Sequence, residues 1–330
     1  DLDYSKGAQW ILPGPLGAHN WQAMSVDEKT GTVFIPAQDN PLIYGVSEEW
    51  EQSGLYKRNP GRWNTGIELG RITQLYLDNI ADQPTPKGYL KAFDPLTGED
   101  KWSIEIPHYW NGGVLSSAGG LVFQGDALGM LTAYDKETGE VLWQFNTYTS
   151  MLAPPVTYQI GGVQYLAILT GTGGADLFAG EPLPPVQEHA SLTYNNFGRL
   201  LVFKLGGQEA LPTPTVRDRS IPVQENLVAS AETIAVGERH YNNFCSVCHG
   251  LASRSGGVVP DLRRMSSATH DAFEQIVLEG LLSTNGMAGF ADVLTSEDSA
   301  TIHAYVRARA EEDRLFDAGE VAMPRLTWQD

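Results

Sequence analysis

The stretch "YLKAFDPLTGEDKW" (89–102) decides the fold, because it is repeated as "LTAYDKETGEVLW" (131–143). The two copies share an alanine, an aspartate, a glycine and a tryptophan at equivalent positions, and Trp102 and Trp143 lie 41 residues apart. A repeat of about 40–45 residues is typical of the blades of a β-propeller. The Asp and Gly predict a tight turn between two strands, and the Trp predicts docking onto the neighbouring blade.

A weaker copy, "MSVDEKTGTVFI" (24–35), keeps the turn residues but has Ile35 where the Trp would fall. The segment 45–87 interrupts the repeats, and we expect so long an irregular insertion to serve a site or an interface. With "RLLVFKL" (199–205) as a final strand, about 205 residues provide only four or five blades. We therefore predict an all-β, incomplete propeller, which needs either a second copy of itself or a separate chain to close it. An ordinary β-sandwich with coincidental turns is the alternative.

The sequence after the repeats changes character. Residues 206–229 are rich in Pro and polar side chains and predict a linker. Helical patterns follow at 231–244, where Gly237 lies on the apolar face, and at 295–314, where Thr295 predicts an N-terminal cap. The predicted domains are a propeller portion (1–205), the linker (206–229), a small all-α domain (230–315) and a C-terminal tail (316–330).

Charge and hydropathy limit the possible partners. The 330 residues include 40 acidic and 22 basic side chains, a formal net charge of −18. This argues against nucleic acid or an anionic membrane surface as a partner. The sequence has no run of about 18 apolar residues, so we predict no transmembrane segment. The first residues lack a secretory signal pattern, so we expect either earlier removal of a signal or a start within a longer precursor.

The two cysteines of the chain occur together in "FCSVCHGLASRSGG" (244–257). Cys-x-x-Cys-His is the attachment pattern of c-type haem. Structural zinc would need two further ligands, and there is no second cysteine pair. A thioredoxin-like motif would need a βαβ context, which is missing. We predict that Cys245 and Cys248 attach the porphyrin and that His249 ligates the iron.

The second axial ligand should come from a later loop. Met287 in "STNGMAGF" (283–290) is predicted for this role, because it lies in a glycine-flanked loop before the last helix. Met265, His270 and His303 are the alternatives. His/Met ligation raises the reduction potential and leaves no open coordination position, so the predicted haem carries electrons and does not bind oxygen.

The segment "VVPDLRR" (258–264) follows at the position of a loop beneath the proximal side of the haem. We expect the carbonyl of Pro260 to fix the tautomer of His249. Arg263 or Arg264 is expected to pair with a haem propionate, with a solvated arginine as the alternative.

Propeller repeats followed by a cytochrome c domain resemble the C-terminal portion of the pyrroloquinoline quinone (PQQ)-dependent quinohaemoprotein alcohol dehydrogenases of bacterial periplasms. Three stretches carry the match, namely 17–39, 108–135 and 167–180. The resemblance implies haem c, PQQ and Ca²⁺ as cofactors and a periplasmic location. It also implies that these four or five blades belong to an eight-bladed propeller, completed by an N-terminal portion on another chain, either a separate subunit or a cleavage product.

The resemblance assigns residues to one wall of the PQQ site. Asn20 and Trp21 match an Asn-Trp pair whose amide approaches a quinone carbonyl. Trp110 matches an aromatic residue near the cofactor edge, with blade packing as the alternative role. Gly174 and Ala175 match a glycine-rich loop close to the PQQ ring, where some relatives have a Trp at about the position of Ala175.

The family's catalytic groups lie upstream of the Asn-Trp pair. They comprise the catalytic aspartate, the calcium ligands, a basic residue at the quinone and an adjacent-cysteine disulfide, so no catalytic residue is predicted in this chain. The resemblance implies that an alcohol is oxidised at PQQ–Ca²⁺ and that electrons leave singly through the haem. The expected acceptor is an external cytochrome or copper protein.

Two questions remain open at this point. The first is whether the chain is instead a non-enzymatic electron-transfer cytochrome c on a β-scaffold. The second is which alcohol is oxidised: primary, secondary, polyol or polymer.

Overall fold

A computed structural model describes residues 3–58, 64–172, 189–225, 227–255 and 259–321. The strands are β1 (Gln9–Ile11), β2 (Ser25–Val26), β3 (Val33–Asp39), β4 (Leu42–Tyr44), β5 (Lys87–Asp94), β6 (Glu99–Ile106), β7 (Val114–Ser116), β8 (Leu121–Gly125), β9 (Met130–Asp135), β10 (Val141–Asn146), β11 (Val156–Ile160), β12 (Val163–Thr170) and β13 (Arg199–Lys204). The α-helices are α1 (Glu48–Ser53), α2 (Ile72–Asp78), α3 (Ala190–Thr193), α4 (Ala231–Phe244), α5 (Ser246–His249), α6 (Ser267–Asp271), α7 (Phe273–Val277) and α8 (Ser296–Asp317).

The chain divides into two compact units. The sheet unit comprises residues 11–42 and 84–218, and the helical unit comprises 1–10, 43–83 and 219–330. The insertion predicted as a long loop thus belongs with the C-terminal helices and contains α1 and α2. The predicted domains each occupy one continuous stretch of sequence, whereas the helical unit is built from three stretches. The predicted domain boundaries stay a prediction.

Antiparallel sheets of consecutive strands build the sheet unit. One four-stranded sheet has the order β2-β3-β5-β6, a second has the order β10-β9-β8-β7, and a three-stranded sheet has the order β11-β12-β13. A two-stranded sheet of β1 and β4 lies mostly in residues of the helical unit. This arrangement confirms the predicted fold class, a portion of a propeller followed by a small helical region.

The repeated turns have the predicted form. Gly98 and Gly139 adopt positive φ values of 78° and 76°, and the preceding aspartates accept backbone N–H groups in both turns. The indole of Trp102 donates to the carbonyl of Lys136 at 3.1 Å, in the turn of the next repeat. Docking of the tryptophan onto the neighbouring blade is therefore confirmed.

The β11-β12-β13 sheet is apolar on both faces. Its inner face contributes Leu166, Ile168, Leu201 and Phe203 to a core that includes the buried Met151. We call the opposite face the outer face; its exposed apolar side chains are Val156, Tyr158, Ile160, Val163, Leu169, Leu200 and Val202. Sheets with two apolar faces normally lie between other layers of structure.

In the helical unit α4 packs against α8, and both helices have the predicted bounds to within a few residues. Thr295 and Asp298 form a capping box at the start of α8, as expected. Gly237 on α4 lies where a β-carbon would be 2.5 Å from the carbonyl carbon of Thr301 on α8. The glycine thus permits close approach of the two helices.

The insertion contacts α4 directly. The buried side-chain amide of Asn242 donates to the carbonyl of Gly70 at 3.1 Å. Trp10, in the N-terminal segment of the same unit, packs edge-on against Tyr76 of α2. No helix in the described ranges is both long and apolar enough to cross a bilayer.

Candidate functional site

The Cys-x-x-Cys-His motif lies at the junction of two helices. Cys245 ends α4 and its carbonyl accepts the N–H of His249 at 2.9 Å, which closes the single turn of α5. Both cysteines are free thiols, Cys245 buried and Cys248 exposed. One helical turn therefore carries both sulfurs and the imidazole on a short, rigid segment.

The imidazole of His249 is held in one tautomer. Its Nδ1 lies 3.0 Å from the carbonyl oxygen of Pro260, the contact expected from the sequence. Because a carbonyl only accepts, Nδ1 carries the proton and the lone pair is on Nε2. Burial lowers the pKa of His249, although the bond to Pro260 opposes this shift, so the ring favours the neutral form that binds metals.

Arg263 fixes the loop that carries Pro260. Its guanidinium binds Asp261 through two bonds, of 2.7 and 3.0 Å, and binds Asp313 of α8 at 2.7 Å. Arg263 is only 2% exposed, so the alternative of a solvated arginine is wrong. The expected pairing of Arg263 or Arg264 with a haem propionate stays a prediction.

Asp313 is a site residue that the sequence analysis missed. Besides Arg263 it accepts from Arg254 at 3.1 Å and from Arg309 at 2.7 Å, and it is itself 2% exposed. Burial alone would raise the pKa of Asp313, but the three guanidinium groups outweigh burial and lower it. Asp313 therefore stays ionised and ties the proximal loop to α8.

The candidate second axial ligands occupy different environments. Met287 is half-buried and its N–H donates to the carbonyl of Leu282 at 3.2 Å. Met265 is buried in the apolar core of the helical unit. His270 and His303 bind each other, with 2.8 Å between Nδ1 and Nε2. The role of Met287 at the iron stays a prediction.

In the sheet unit the structure brings Trp21 and Trp110 together. Their ring centroids are 6.1 Å apart and their planes meet at 76°. Trp21 is 53% exposed, whereas Trp110 is 3% exposed and packs with Tyr109 and Leu152. Trp110 Nε1 is buried and makes no hydrogen bond within the described residues. Asn20 lies beside this pair, and its carboxamide donates to the carbonyl of Leu16 at 2.8 Å.

The two remaining predicted PQQ contacts cannot be placed. Gly174 and Ala175 lie outside the described residues, between 172 and 189. Of the predicted PQQ contacts, the structure therefore describes Trp21, Trp110 and Asn20.

Two known protein families match separate parts of the chain. Residues 232–306 match the family described as cytochrome c oxidase, cbb3-type, subunit III. Residues 86–163 match the family described as outer membrane protein assembly factor BamB.

Longer matches cover nearly the whole chain. Quinohemoprotein alcohol dehydrogenase ADH IIB of Pseudomonas putida is 39% identical over 94% of this chain and 43% of its own length. The solved structure of ADHIIG from P. putida HK5 matches with a TM-score of 0.77 and 33% identity, over 94% of this chain and 44% of the other. The enzyme of Comamonas testosteroni matches with a TM-score of 0.70 and 28% identity, over 93% and 43% respectively. The chain thus spans less than half the length of these relatives.

Proposed function

We propose that this chain, which is related over nearly its whole length to part of the quinohaemoprotein alcohol dehydrogenases, supplies one wall of a PQQ site and the haem c of a periplasmic dehydrogenase. One observation carries the proposal. The chain combines a buried tryptophan N–H that has no acceptor among the described residues, beside a second tryptophan, with a Cys-x-x-Cys-His segment whose imidazole is held in the metal-binding tautomer.

The residues of the haem-binding segment fit haem c. Two free thiols on one helical turn match covalent attachment through Cys245 and Cys248, and the Nε2 lone pair of His249 matches an iron ligand. Haem supplies one-electron transfer when bound. Pro260 orients the imidazole, while Arg263 and Asp313 hold the loop that positions Pro260. Met287 is the proposed sixth ligand.

The residues of the aromatic wall fit a flat, charged quinone. Trp21 offers an exposed ring, and the buried Trp110 packs edge-on against it, with an N–H that is unpaired among the described residues. PQQ supplies hydride acceptance when bound. Asn20, Trp21 and Trp110 orient the ring, with Gly174 and Ala175 proposed for close backbone approach. The catalytic base and the Ca²⁺ ligands are proposed to lie on the N-terminal portion.

The outer face of the β11-β12-β13 sheet supports a second chain. Leu169 and Leu200 are paired neighbours on this face and are 58% and 63% exposed. Such a surface fits another blade of the same propeller, because each blade packs both faces against its neighbours. We propose that the N-terminal portion covers it.

A matched pair of variants tests this contact. Leu200→Asp should weaken co-purification of the second chain at least tenfold, since it places a charge in an apolar contact. Leu96→Asp is the control, because Leu96 is 93% exposed in a turn away from the outer face. Equal recovery of the second chain with both variants would contradict the proposal.

The function itself is tested by haem reduction. Native protein loaded with PQQ and Ca²⁺ is mixed with a panel of primary, secondary and polyol alcohols, and the haem absorption bands are followed. At least one alcohol should reduce the haem, and only when PQQ is present. Cys245→Ala/Cys248→Ala protein should lose this signal but retain alcohol oxidation with an artificial dye. If no alcohol reduces the haem, the chain is better described as an electron carrier that passes electrons to a cytochrome or copper protein.

A further inference from the structure

His108 has a backbone conformation that is unusual for its residue type. Its φ is 73°, in the left-handed region, and its side chain is buried. A non-glycine residue there is strained by about 1 kcal/mol or more and persists only where its surroundings impose the conformation. Gly88 faces the carbonyl of His108 so closely that a β-carbon could not be accommodated. The neighbouring strand therefore packs directly on this bend.

The imidazole of His108 holds the backbone of Trp110. Its Nδ1 accepts the N–H of Trp110 at 3.0 Å, and the ring stacks on Tyr109 with centroids 4.6 Å apart. Because Nδ1 accepts, the ring proton is on Nε2. Burial, with a smaller contribution from His189, lowers the pKa of His108 to about 3, so this tautomer persists at neutral pH.

The residues after Trp110 are anchored to the adjacent sheet. The side-chain amide of Asn111 donates to the carbonyl of His108 at 2.6 Å, and its oxygen accepts the N–H of Ala127 at 3.2 Å. The N–H of Gly112 donates to the carbonyl of Gly125 at 3.0 Å. Trp110 thus lies between a strained bend on one side and a hydrogen-bonded anchor on the other.

We propose that His108 is a positioning residue that sets the depth and plane of the Trp110 indole in the quinone wall. This inference rests on the proposed function, since it assumes that Trp110 faces PQQ. Glycine adopts this backbone without strain, but it has neither the Nδ1 acceptor nor the ring that stacks on Tyr109. The hydrogen bond from the Trp110 N–H to His108 Nδ1 fixes the position of Trp110.

Three variants of His108 separate the acceptor from the backbone. His108→Asn keeps a side-chain acceptor for the backbone N–H of Trp110 and tolerates positive φ. His108→Gly tolerates the backbone without an acceptor, and His108→Leu has neither property. Each is made in the full protein with its N-terminal portion, and the PQQ dissociation constant is measured by titration of the circular dichroism that the bound quinone acquires.

We expect His108→Asn to bind PQQ within about twofold of the unsubstituted protein, and His108→Gly to bind about tenfold more weakly, the equivalent of one hydrogen bond. His108→Leu should be weaker still and should also lower the melting temperature. The inference is overturned if His108→Gly binds PQQ normally, or if His108→Asn is as weak as His108→Gly. Trp110→Phe serves as the reference variant. If Trp110→Phe binds PQQ normally, the proposed contact between Trp110 and PQQ is refuted. If Trp110→Phe binds PQQ more weakly while His108→Gly binds it normally, only the role of His108 is refuted.

Discussion

Replacing Gly237 with alanine tests the close contact between α4 and α8. Alanine is favoured over glycine in a helix by about 1 kcal/mol, so propensity alone predicts stabilisation. The added β-carbon would lie 2.5 Å from the carbonyl carbon of Thr301 and 3.0 Å from the β-carbon of Tyr305. The first of these atoms is backbone, so no rotamer change relieves the contact and the helices must separate by roughly 1 Å to reach van der Waals distance.

Overpacking of this kind costs about 1–3 kcal/mol, and the separation also weakens contacts of the buried Tyr241 and Ile302. Because the contact is with backbone, we expect the upper part of this cost, about 2–3 kcal/mol, so that Gly237→Ala lowers the free energy of unfolding of the helical unit by about 1–2 kcal/mol after the propensity gain. The melting temperature should fall by roughly 2–8 °C.

The assay is thermal unfolding followed by far-ultraviolet circular dichroism and by haem absorption. Arg239→Ala, at an exposed position on the same helix, is the control and should change stability by less than about 0.5 kcal/mol. A Gly237→Ala protein that melts at or above the temperature of the unsubstituted protein would show that α4 and α8 do not pack as closely as described.

Three further predictions concern the two sites. Asp313→Asn should destabilise the helical unit by about 3–5 kcal/mol in denaturant titration, because it removes the carboxylate that pairs with the fully buried Arg309 and ties Arg263 to α8. An unchanged midpoint would contradict this. Met287→Ala should lower the haem reduction potential and open a coordination position in the absorption spectrum, whereas Met265→Ala should lower stability and leave the spectrum intact. The pKa of His108 is about 3 in the folded state and near 6.5 in the unfolded state, so the unfolded state binds more protons between these two values. The contribution of the neutral imidazole to the free energy of unfolding is therefore fully present above about pH 6.5 and is lost as the pH falls. The loss at pH 5 should be at most about 2 kcal/mol, and His108→Asn should remove it.

The repeats and the helices were predictable because their signals are local. A turn with Asp and Gly followed by a tryptophan specifies two strands and a docking residue within one short segment, and Trp102 performs that role. The cap at Thr295 is equally local. The Cys-x-x-Cys-His spacing likewise determines the geometry of α5 without reference to the rest of the chain.

The features that were missed depend on residues distant in sequence. Arg263 and Asp313 are 50 positions apart, and only the packing of the loop on α8 brings them together. The left-handed bend at His108 has no clear sequence signal, because non-glycine residues adopt positive φ only in a few per cent of cases. The membership of residues 43–83 in the helical unit follows from contacts such as Asn242 with Gly70, which no composition or period indicates.

The hydrogen bond from Asn242 to Gly70 has a consequence for modularity. The helical unit is assembled from three separate stretches of sequence, so it cannot be excised as one continuous piece at residue 219 without removing the acceptor of a buried amide. An excised cytochrome would retain Asn242 on α4 but lose α2 and the carbonyl of Gly70. Transfer of this cytochrome domain to a related protein would therefore require transfer of the 43–83 insertion together with residues 219–330.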